Sequence, residues 1–139
     1  MTGSLDVSFP ALVRIVPMTE THGAVAWFPV DHPYVEALWL PVLGPSSLFM
    51  LRRFGRWLAA TPAGVDVSLS ELSGSLGLGW SSGPNSAVQR TMRRLVMFGM
   101  GRWEGDLAVR LAVPPVSARM LQTLAPALVR MHDAMLATV

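Results

Sequence analysis

Cysteine and lysine are both absent from this chain of 139 residues. The lack of cysteine excludes a disulfide framework, thiolate chemistry and any cysteine-based metal site. The lack of lysine excludes lysine Schiff bases and the lysine of phosphate-binding P-loops. Charge is also scarce, because charged residues make up 14% of the chain, against roughly 25% in an average soluble domain. Since 51% of the residues are hydrophobic, we expect the chain to bury some surface against a partner or a second copy.

Long apolar runs are missing as well. The segment LWLPVLG, residues 38–44, is short and broken by Pro41, and no run reaches the about 18 residues that predict a membrane span. The N-terminus has no basic start followed by a long apolar stretch, so we expect no signal peptide and a cytoplasmic location. The three histidines stand alone, without the spacing of a metal site; they are His22, His32 and His132.

Catalytic motifs are not found either. The glycine-rich segment GLGWSSG, residues 77–83, misses the spacing of G-x-G-x-x-G and follows a helical pattern, where a dinucleotide loop would follow a strand. The segment GPSSL, residues 44–48, does not have the G-x-S-x-G spacing of a nucleophile elbow. No acid pair, nucleophile or base stands out. We therefore expect no enzymatic activity, no cofactor and no metal.

The positive charge that is present consists entirely of arginine and is unevenly placed. All 11 basic side chains are Arg. Between residues 48 and 110 lie eight arginines and four acidic residues, a net charge of +4, while the rest of the chain carries −2. The middle of the chain is therefore the basic part, as a nucleic-acid surface requires.

Apolar periodicity and breaker residues divide the chain into three regions. Residues 1–44 are predicted to form an N-terminal extension, with a hairpin of the segments 11–16 and 24–30 and then a short helix that Pro41 ends. Residues 45–113 form the central domain. Residues 114–139 form a C-terminal helix, kinked or split at Pro126, that packs on the domain or dimerises.

Within the central domain the patterns predict a fixed order of elements. A helix opens at Pro45, with apolar residues at spacings of three and four, and a strand of about three residues follows at 65–67. Ser68 and Glu71 form an S-x-x-E capping box that opens a two-turn helix. After a turn at SSGP, residues 81–84, a longer helix is predicted over 84–98, followed by a hairpin of MGRW and LAVRLAV.

This order resembles the winged helix-turn-helix superfamily, as found in small prokaryotic DNA-binding regulators. The resemblance is carried by three segments: SLSELSGSLGLG (68–79), NSAVQRTMRRLVMFGM (85–100) and RWEGDLAVRL (102–111). It implies an α+β, mostly helical fold: a winged helix-turn-helix with an N-terminal extension and a C-terminal helix. It also implies that the helix 84–98 enters the DNA major groove. We therefore expect a DNA-binding protein that regulates transcription.

The helix 84–98 divides its residues between two faces. At 100° per residue, Val88, Met92 and Leu95 share the side that faces the core. Three arginines lie on the opposite side: Arg90, Arg93 and Arg94. A solvated polar face is the alternative interpretation of this arrangement.

Side-chain chemistry assigns roles on the DNA-facing side. Arginine pairs with guanine and glutamine with adenine, each through two hydrogen bonds, so base contacts are predicted for Gln89, Arg90 and Arg93. Phosphate or neighbouring-base contacts are predicted for Asn85, Ser86 and Arg94. Outside this helix the predicted DNA contacts are Arg52, Arg53 and Arg102. The tip of the predicted wing, Glu104-Gly105-Asp106, would repel phosphate.

The last helix carries an apolar stripe of five residues: Leu121, Leu124, Leu128, Met131 and Met135. Packing back on the domain is one interpretation, and a homodimer seam is the other. A dimer predicts two DNA half-sites about one helical turn apart. Two rival functions stay open: a winged-helix protein-interaction module that docks through Met97, Met100 and Trp103, and an accessory protein that binds DNA without sequence preference.

Overall fold

Helices dominate the computed structural model, which describes residues 8–19 and 27–138. Helix accounts for 48% of the described residues and strand for 16%. The predicted class, α+β and mostly helical, is therefore confirmed.

The described elements follow one another in three groups. The N-terminal part contains two strands, a π-helical segment and a short helix: β1 (Leu12–Pro17), β2 (Phe28–Pro29), Val35–Trp39 and α1 (Leu40–Leu43). The central part contains three helices, one strand and a hairpin: α2 (Pro45–Ala60), β3 (Val65–Ser68), α3 (Leu69–Ser75), α4 (Ala87–Met97), β4 (Gly101–Trp103) and β5 (Leu107–Val109). The C-terminal part contains β6 (Ala112–Val113), α5 (Ala118–Leu121) and α6 (Pro126–Leu136).

Strand β1 lies inside a four-stranded sheet with the order β3-β1-β5-β4. It runs antiparallel to β3, with Val13 opposite Val67, and parallel to β5, with Ile15 opposite Leu107. Val13 and Ile15 are buried while Leu12 is exposed, because successive side chains of a strand point to opposite faces. Strand β1 thus joins β3 to the hairpin β4–β5, and it contributes to the hydrophobic core.

The predicted N-terminal hairpin is wrong. Strand β1 pairs with β3 and β5, while β2 pairs with β6 through Phe28 opposite Val113. Both strands carry enough apolar residues to form extended structure, but each pairs with a segment far along the chain. Residues 20–26, with most of the predicted hairpin loop and the start of its second strand, lie outside the described residues.

The short helix does not end at Pro41. The π-helical segment runs directly into α1, and Pro41 occupies the first turn of α1, where the φ that proline imposes is the helical one. The chain leaves the helix at Gly44, whose φ of 80° lies in the region that favours glycine.

Helices α2 and α4 pack against each other in the core. The buried face of α2 includes Leu48, Leu51 and Phe54, and that of α4 includes Val88 and Met92. These are the faces that the three-and-four spacing predicts, and burying each such side chain is worth about 1.5–3 kcal/mol.

The C-terminal region splits at Pro126, as predicted, because α5 ends before it and α6 begins with it. Helix α6 packs against the π-helical segment. At this contact the buried His132 bonds through Nδ1 to the hydroxyl of Tyr34 at 2.8 Å, and that hydroxyl also accepts the Val116 N–H at 2.9 Å. Burial raises the pKa of Tyr34 above its ordinary value, and the hydrogen bond from Val116 partly opposes this effect.

Candidate functional site

Helix α4 is shorter at its start than the predicted range 84–98. Pro84 and Asn85 lie in a turn, and Ser86 is the N-cap residue, whose carbonyl accepts the Arg90 N–H at 3.0 Å. At the other end Gly99 adopts a φ of 77°, and the Met100 N–H bonds to the Leu95 carbonyl at 2.8 Å. This is the Schellman arrangement, which explains why the helix stops before Gly99.

The three arginines of α4 lie on the side that the sequence predicts, away from Val88 and Met92. Arg90 and Arg94 are exposed and Arg93 is half-buried. The guanidinium of Arg90 donates to the carbonyl of Asn85, and that of Arg93 donates to the carbonyl of Pro84. Both side chains therefore curl back toward the turn that precedes the helix.

Arg94 points in another direction, toward α1. Its Nη2 donates to the carbonyl of Val42 at 2.9 Å, and its guanidinium lies 5.3 Å from the centre of the Phe98 ring. Both contacts hold the positive charge beside the end of α1 and the start of α2.

The three arginines border one open groove between α4 and the start of α2. We name it the α2–α4 groove; its volume is about 770 Å³. The lining residues are Leu43, Gly44, Pro45, Ser46, Ser47, Leu78, Ala87, Arg90, Thr91, Arg93, Arg94 and Met97. None of these lining residues is acidic, so the groove has a positive rim around a largely apolar floor. Such a surface favours an anion attached to a larger group.

Gln89 is not available to a base edge, which corrects the prediction of adenine contact. Its side chain is only 6% exposed. Its Oε1 accepts the Phe9 N–H at 2.8 Å, and its Nε2 donates to the Phe9 carbonyl at 2.7 Å. Gln89 therefore uses its amide to hold the segment before β1 against α4.

Ser86 is too buried to make its predicted DNA contact, while Asn85 is exposed and remains a candidate. Ser86 is 7% exposed, and its hydroxyl has no hydrogen-bond partner among the described residues. A side chain this deeply buried does not reach a phosphate. Asn85, one residue earlier, is exposed at the entrance to α4.

Arg52 has a structural role in place of the predicted DNA contact. Its Nε donates to the Val30 carbonyl at 2.9 Å, its Nη2 donates to the His32 carbonyl at 3.2 Å, and its Nη1 lies 3.2 Å from Glu36. These bonds hold the loop before the π-helical segment against α2. The guanidinium is therefore already occupied.

Arg53 is half-buried and donates to the carbonyl of Ser75, the last residue of α3, at 2.9 Å. A cation at this end of a helix bonds to carbonyls that have no intrahelical donor. This bond engages one of the five guanidinium donors of Arg53, so its predicted DNA contact stays a prediction.

The hairpin β4–β5 presents both signs of charge. Arg102 is exposed, and its Nε lies 3.5 Å from Oε1 of Glu104 at the hairpin tip. Trp103 is half-buried against Phe9, with the two rings 5.0 Å apart and nearly perpendicular. Met100 is buried. Of the three residues predicted to dock a protein partner, Met97 is the exposed one.

The apolar stripe of the last helix packs mainly on its own chain. Four of its five residues are half-buried against the core: Leu121, Leu124, Leu128 and Met135. Met131 is 43% exposed. The arrangement fits the interpretation that this region packs back on the domain, and it leaves little of the stripe for a dimer seam.

Sequence reasoning did not single out the start of α2 as part of a site. At Gly44-Pro45-Ser46-Ser47 the sequence predicts only the opening of a helix. The sequence feature that could have indicated the site is the absence of a capping side chain, because neither Gly44 nor Pro45 has a side-chain oxygen to cap the helix.

Across 8–19 and 27–138, no helix combines the length and the apolar character needed to cross a bilayer. The same residues contain no group of three or more His, Cys, Asp or Glu side chains placed to hold a metal ion.

Comparison with known proteins gives no relatives: no family model, no curated protein and no solved structure matches the chain.

Proposed function

We propose that the chain is a cytoplasmic winged helix-turn-helix protein that binds double-stranded DNA and regulates transcription. In this proposal α3, the following turn and α4 form the helix-turn-helix, and the hairpin β4–β5 forms the wing. Helix α4 enters the major groove with its N-terminal residues nearest the base edges. The order α2, β3, α3, α4, β4, β5 supports this assignment.

One observation carries the proposal: three arginines of α4 border a single open groove that has no acidic lining residue. A chain with 14% charged residues places three cations on one turn and a half of helix. Phosphate neutralisation by arginine supplies most of the non-specific affinity for DNA. The arrangement therefore favours a polyanionic partner over plain solvent exposure.

The proposed contact set is smaller than the one predicted from the sequence. Arg90 and Arg93 remain the candidates for guanine edges, since each guanidinium carries five N–H donors. Asn85 and Arg94 remain candidates for phosphate. Arg102 is a weaker candidate, because its surface pair with Glu104 is of the kind worth about 0–1 kcal/mol.

The test is fluorescence anisotropy on random-sequence duplex DNA across a salt series. The wild type is expected to bind with a steep salt dependence. On random-sequence DNA the double variant Arg90→Ala/Arg93→Ala is expected to bind more weakly and to lose about one unit of salt slope for each arginine removed.

A matched control removes the same charge elsewhere. Arg119 lies on α5 and Arg130 on α6, and both side chains are exposed. The variant Arg119→Ala/Arg130→Ala is expected to bind nearly as tightly as the wild type. Equal losses of DNA affinity in the two double variants would mean that only the net charge of the protein matters. Absence of wild-type binding at about 50 mM salt would refute the proposal.

A second candidate function is a winged-helix module that docks on another protein. The observation in its favour is Met97, which is 45% exposed and lines the groove beside the arginines. A pull-down that recovers a stoichiometric protein partner, from a chain without DNA affinity, would decide for this candidate. A third candidate function is an accessory protein that binds DNA without sequence preference. In that case competitor DNA is expected to abolish binding to any labelled duplex.

The proposal includes a homodimer, because the low charge content suggests covered surface. Since most of the α5–α6 stripe packs on its own chain, Met131 is the stripe residue left for a dimer contact. Light scattering at micromolar concentration measures the mass directly. A single-protomer mass would remove the dimer and, with it, the prediction of two half-sites.

A further inference from the structure

The α2–α4 groove has two walls that are held at a fixed distance. The hydroxyl of Ser47, in the first turn of α2, donates to the carbonyl of Thr91 on α4 at 3.2 Å. Both residues are buried. This bond and the packed faces of the two helices give the groove a preset shape, so a ligand does not have to order it.

Two arginines on the α4 wall, Arg90 and Arg94, keep guanidinium donors that a ligand can use. Neither Arg90 nor Arg94 has an ion-pair partner among the described residues. Each bonds to a backbone carbonyl, of Asn85 and Val42 respectively. Because a guanidinium has five N–H donors, such a contact orients the group and leaves donors for an incoming anion.

The contact of Arg94 with Val42 places its charge next to the opposite wall, because Val42 is two residues before Gly44. At that wall the Gly44 N–H donates to the Leu40 carbonyl at 2.8 Å, and Pro45 has no N–H. The amides of Ser46 and Ser47 follow in the first turn of α2, where helical N–H groups lack intrahelical acceptors. They add donors to a groove that the arginines already make positive.

We propose that the α2–α4 groove holds the DNA sugar-phosphate backbone, with a phosphate between Arg94 and the first turn of α2. The inference rests on the proposed function, which it deepens by naming a place for the backbone. A groove of about 770 Å³ is larger than one phosphate needs and accommodates the adjoining sugars on its apolar floor. Such a contact fixes the register of α4 on the duplex without reading the sequence, which leaves Arg90 and Arg93 for base edges.

The test introduces a carboxylate where the phosphate would lie. Ser46→Glu places a negative charge in the second position of α2, where an acidic side chain favours the helix, so the variant is expected to fold. Ala127→Glu is the matched control: Ala127 follows Pro126 at the start of α6, as Ser46 follows Pro45, and it is exposed. Arg94→Gln removes the cation from the other wall and serves as a second variant.

Binding to random-sequence duplexes is measured by anisotropy across a salt series. Ser46→Glu and Arg94→Gln are each expected to lower affinity about tenfold or more on every sequence and to reduce the salt slope by about one unit. Ala127→Glu is expected to remain within about threefold of the wild type.

The outcomes separate this inference from the function on which it rests. If the wild type binds DNA and neither Ser46→Glu nor Arg94→Gln differs from Ala127→Glu, the groove does not hold the backbone, while DNA binding stands. If the wild type does not bind at about 50 mM salt, the proposed function fails, and the backbone site fails with it. Capture of a protein that Ser46→Glu abolishes, without DNA affinity, would reassign the groove to a protein partner.

Discussion

Replacing Gln89 with alanine separates the two roles that this residue could have. In the structure its amide forms two buried hydrogen bonds with the backbone of Phe9, at 2.8 and 2.7 Å. The substitution removes both bonds and leaves the Phe9 N–H and carbonyl without their partner.

The expected loss of stability follows from those two bonds. A net hydrogen bond contributes about 0.5–1.5 kcal/mol, and each buried group left unsatisfied costs about 1–3 kcal/mol. We expect Gln89→Ala to lower the free energy of unfolding by roughly 2–6 kcal/mol, a large share of the about 5–15 kcal/mol of an ordinary domain. If water reaches Phe9 in the variant, the loss lies near the lower end.

The assay is urea unfolding followed by tryptophan fluorescence, with the midpoint shifted and the slope unchanged. Gln122→Ala is the control, since Gln122 is the other glutamine of the chain and is exposed; its effect is expected within about 0.5 kcal/mol. Gln89→Glu keeps an acceptor for the Phe9 N–H but places a buried carboxylate oxygen, which cannot donate, against the Phe9 carbonyl.

DNA preference provides the opposite readout. If Gln89 reads adenine, Gln89→Ala changes the selected sequence and leaves stability nearly intact. A loss of stability below about 0.5 kcal/mol together with a change in sequence preference would refute the role assigned to Gln89 here.

Two further predictions concern the core. Tyr34 is the one tyrosine of the chain, so ultraviolet titration reports its pKa directly; we expect a midpoint above 10.0 in the folded protein and near 10.0 in denaturant. Because the folded pKa is the higher one, the contribution of Tyr34 to stability is complete below about pH 10 and is lost as pH rises through the folded pKa. Equal titration midpoints in the folded and denatured protein would contradict the raised pKa. A Cβ at Gly55 would lie 2.7 Å from Cγ2 of Val30, so Gly55→Ala is expected to cost about 1–3 kcal/mol in thermal or urea unfolding. A Cβ at Gly74 would meet no atom within 4 Å, so Gly74→Ala is expected to raise the free energy of unfolding by about 0.5–1 kcal/mol. A change of the same sign in both variants would contradict the packing of α2.

Local patterns predicted the helices well. The three-and-four spacing located α2 and the buried face of α4, and the Ser68 hydroxyl accepts the Glu71 N–H at 3.4 Å as the capping box requires. Gly77, with a φ of 71°, closes α3 at one of the two glycines predicted to end it. These features depend on residues within a few positions of one another, which a sequence displays directly.

Pairing between distant segments could not be predicted in the same way. Strand β1 has a partner about 50 residues away in β3 and another about 90 residues away in β5, and nothing in its own pattern specifies either. The hairpin with its neighbour along the chain was the simplest choice, and it was wrong.

The candidate site shows the same limit. The helical wheel put Gln89 on the exposed side of α4 with the arginines, but its hydrogen bonds with Phe9 hold it buried. Arg52 was positioned on α2 correctly, yet its hydrogen bonds go to carbonyls around residues 30–32 that no local pattern brings near it. The side on which the three arginines lie was thus predictable, while the burial of Gln89 and the role of each side chain depended on contacts made by other parts of the fold.

DNA binding through α4 and the α2–α4 groove is tested by following the amide chemical shifts of isotopically labelled protein during titration with a short DNA duplex. The largest changes are expected on residues 85–94 and on Ser46 and Ser47, with little change in α6. Changes confined to α6 or to the hairpin tip at 104–106, or no change at about 50 mM salt, would contradict it.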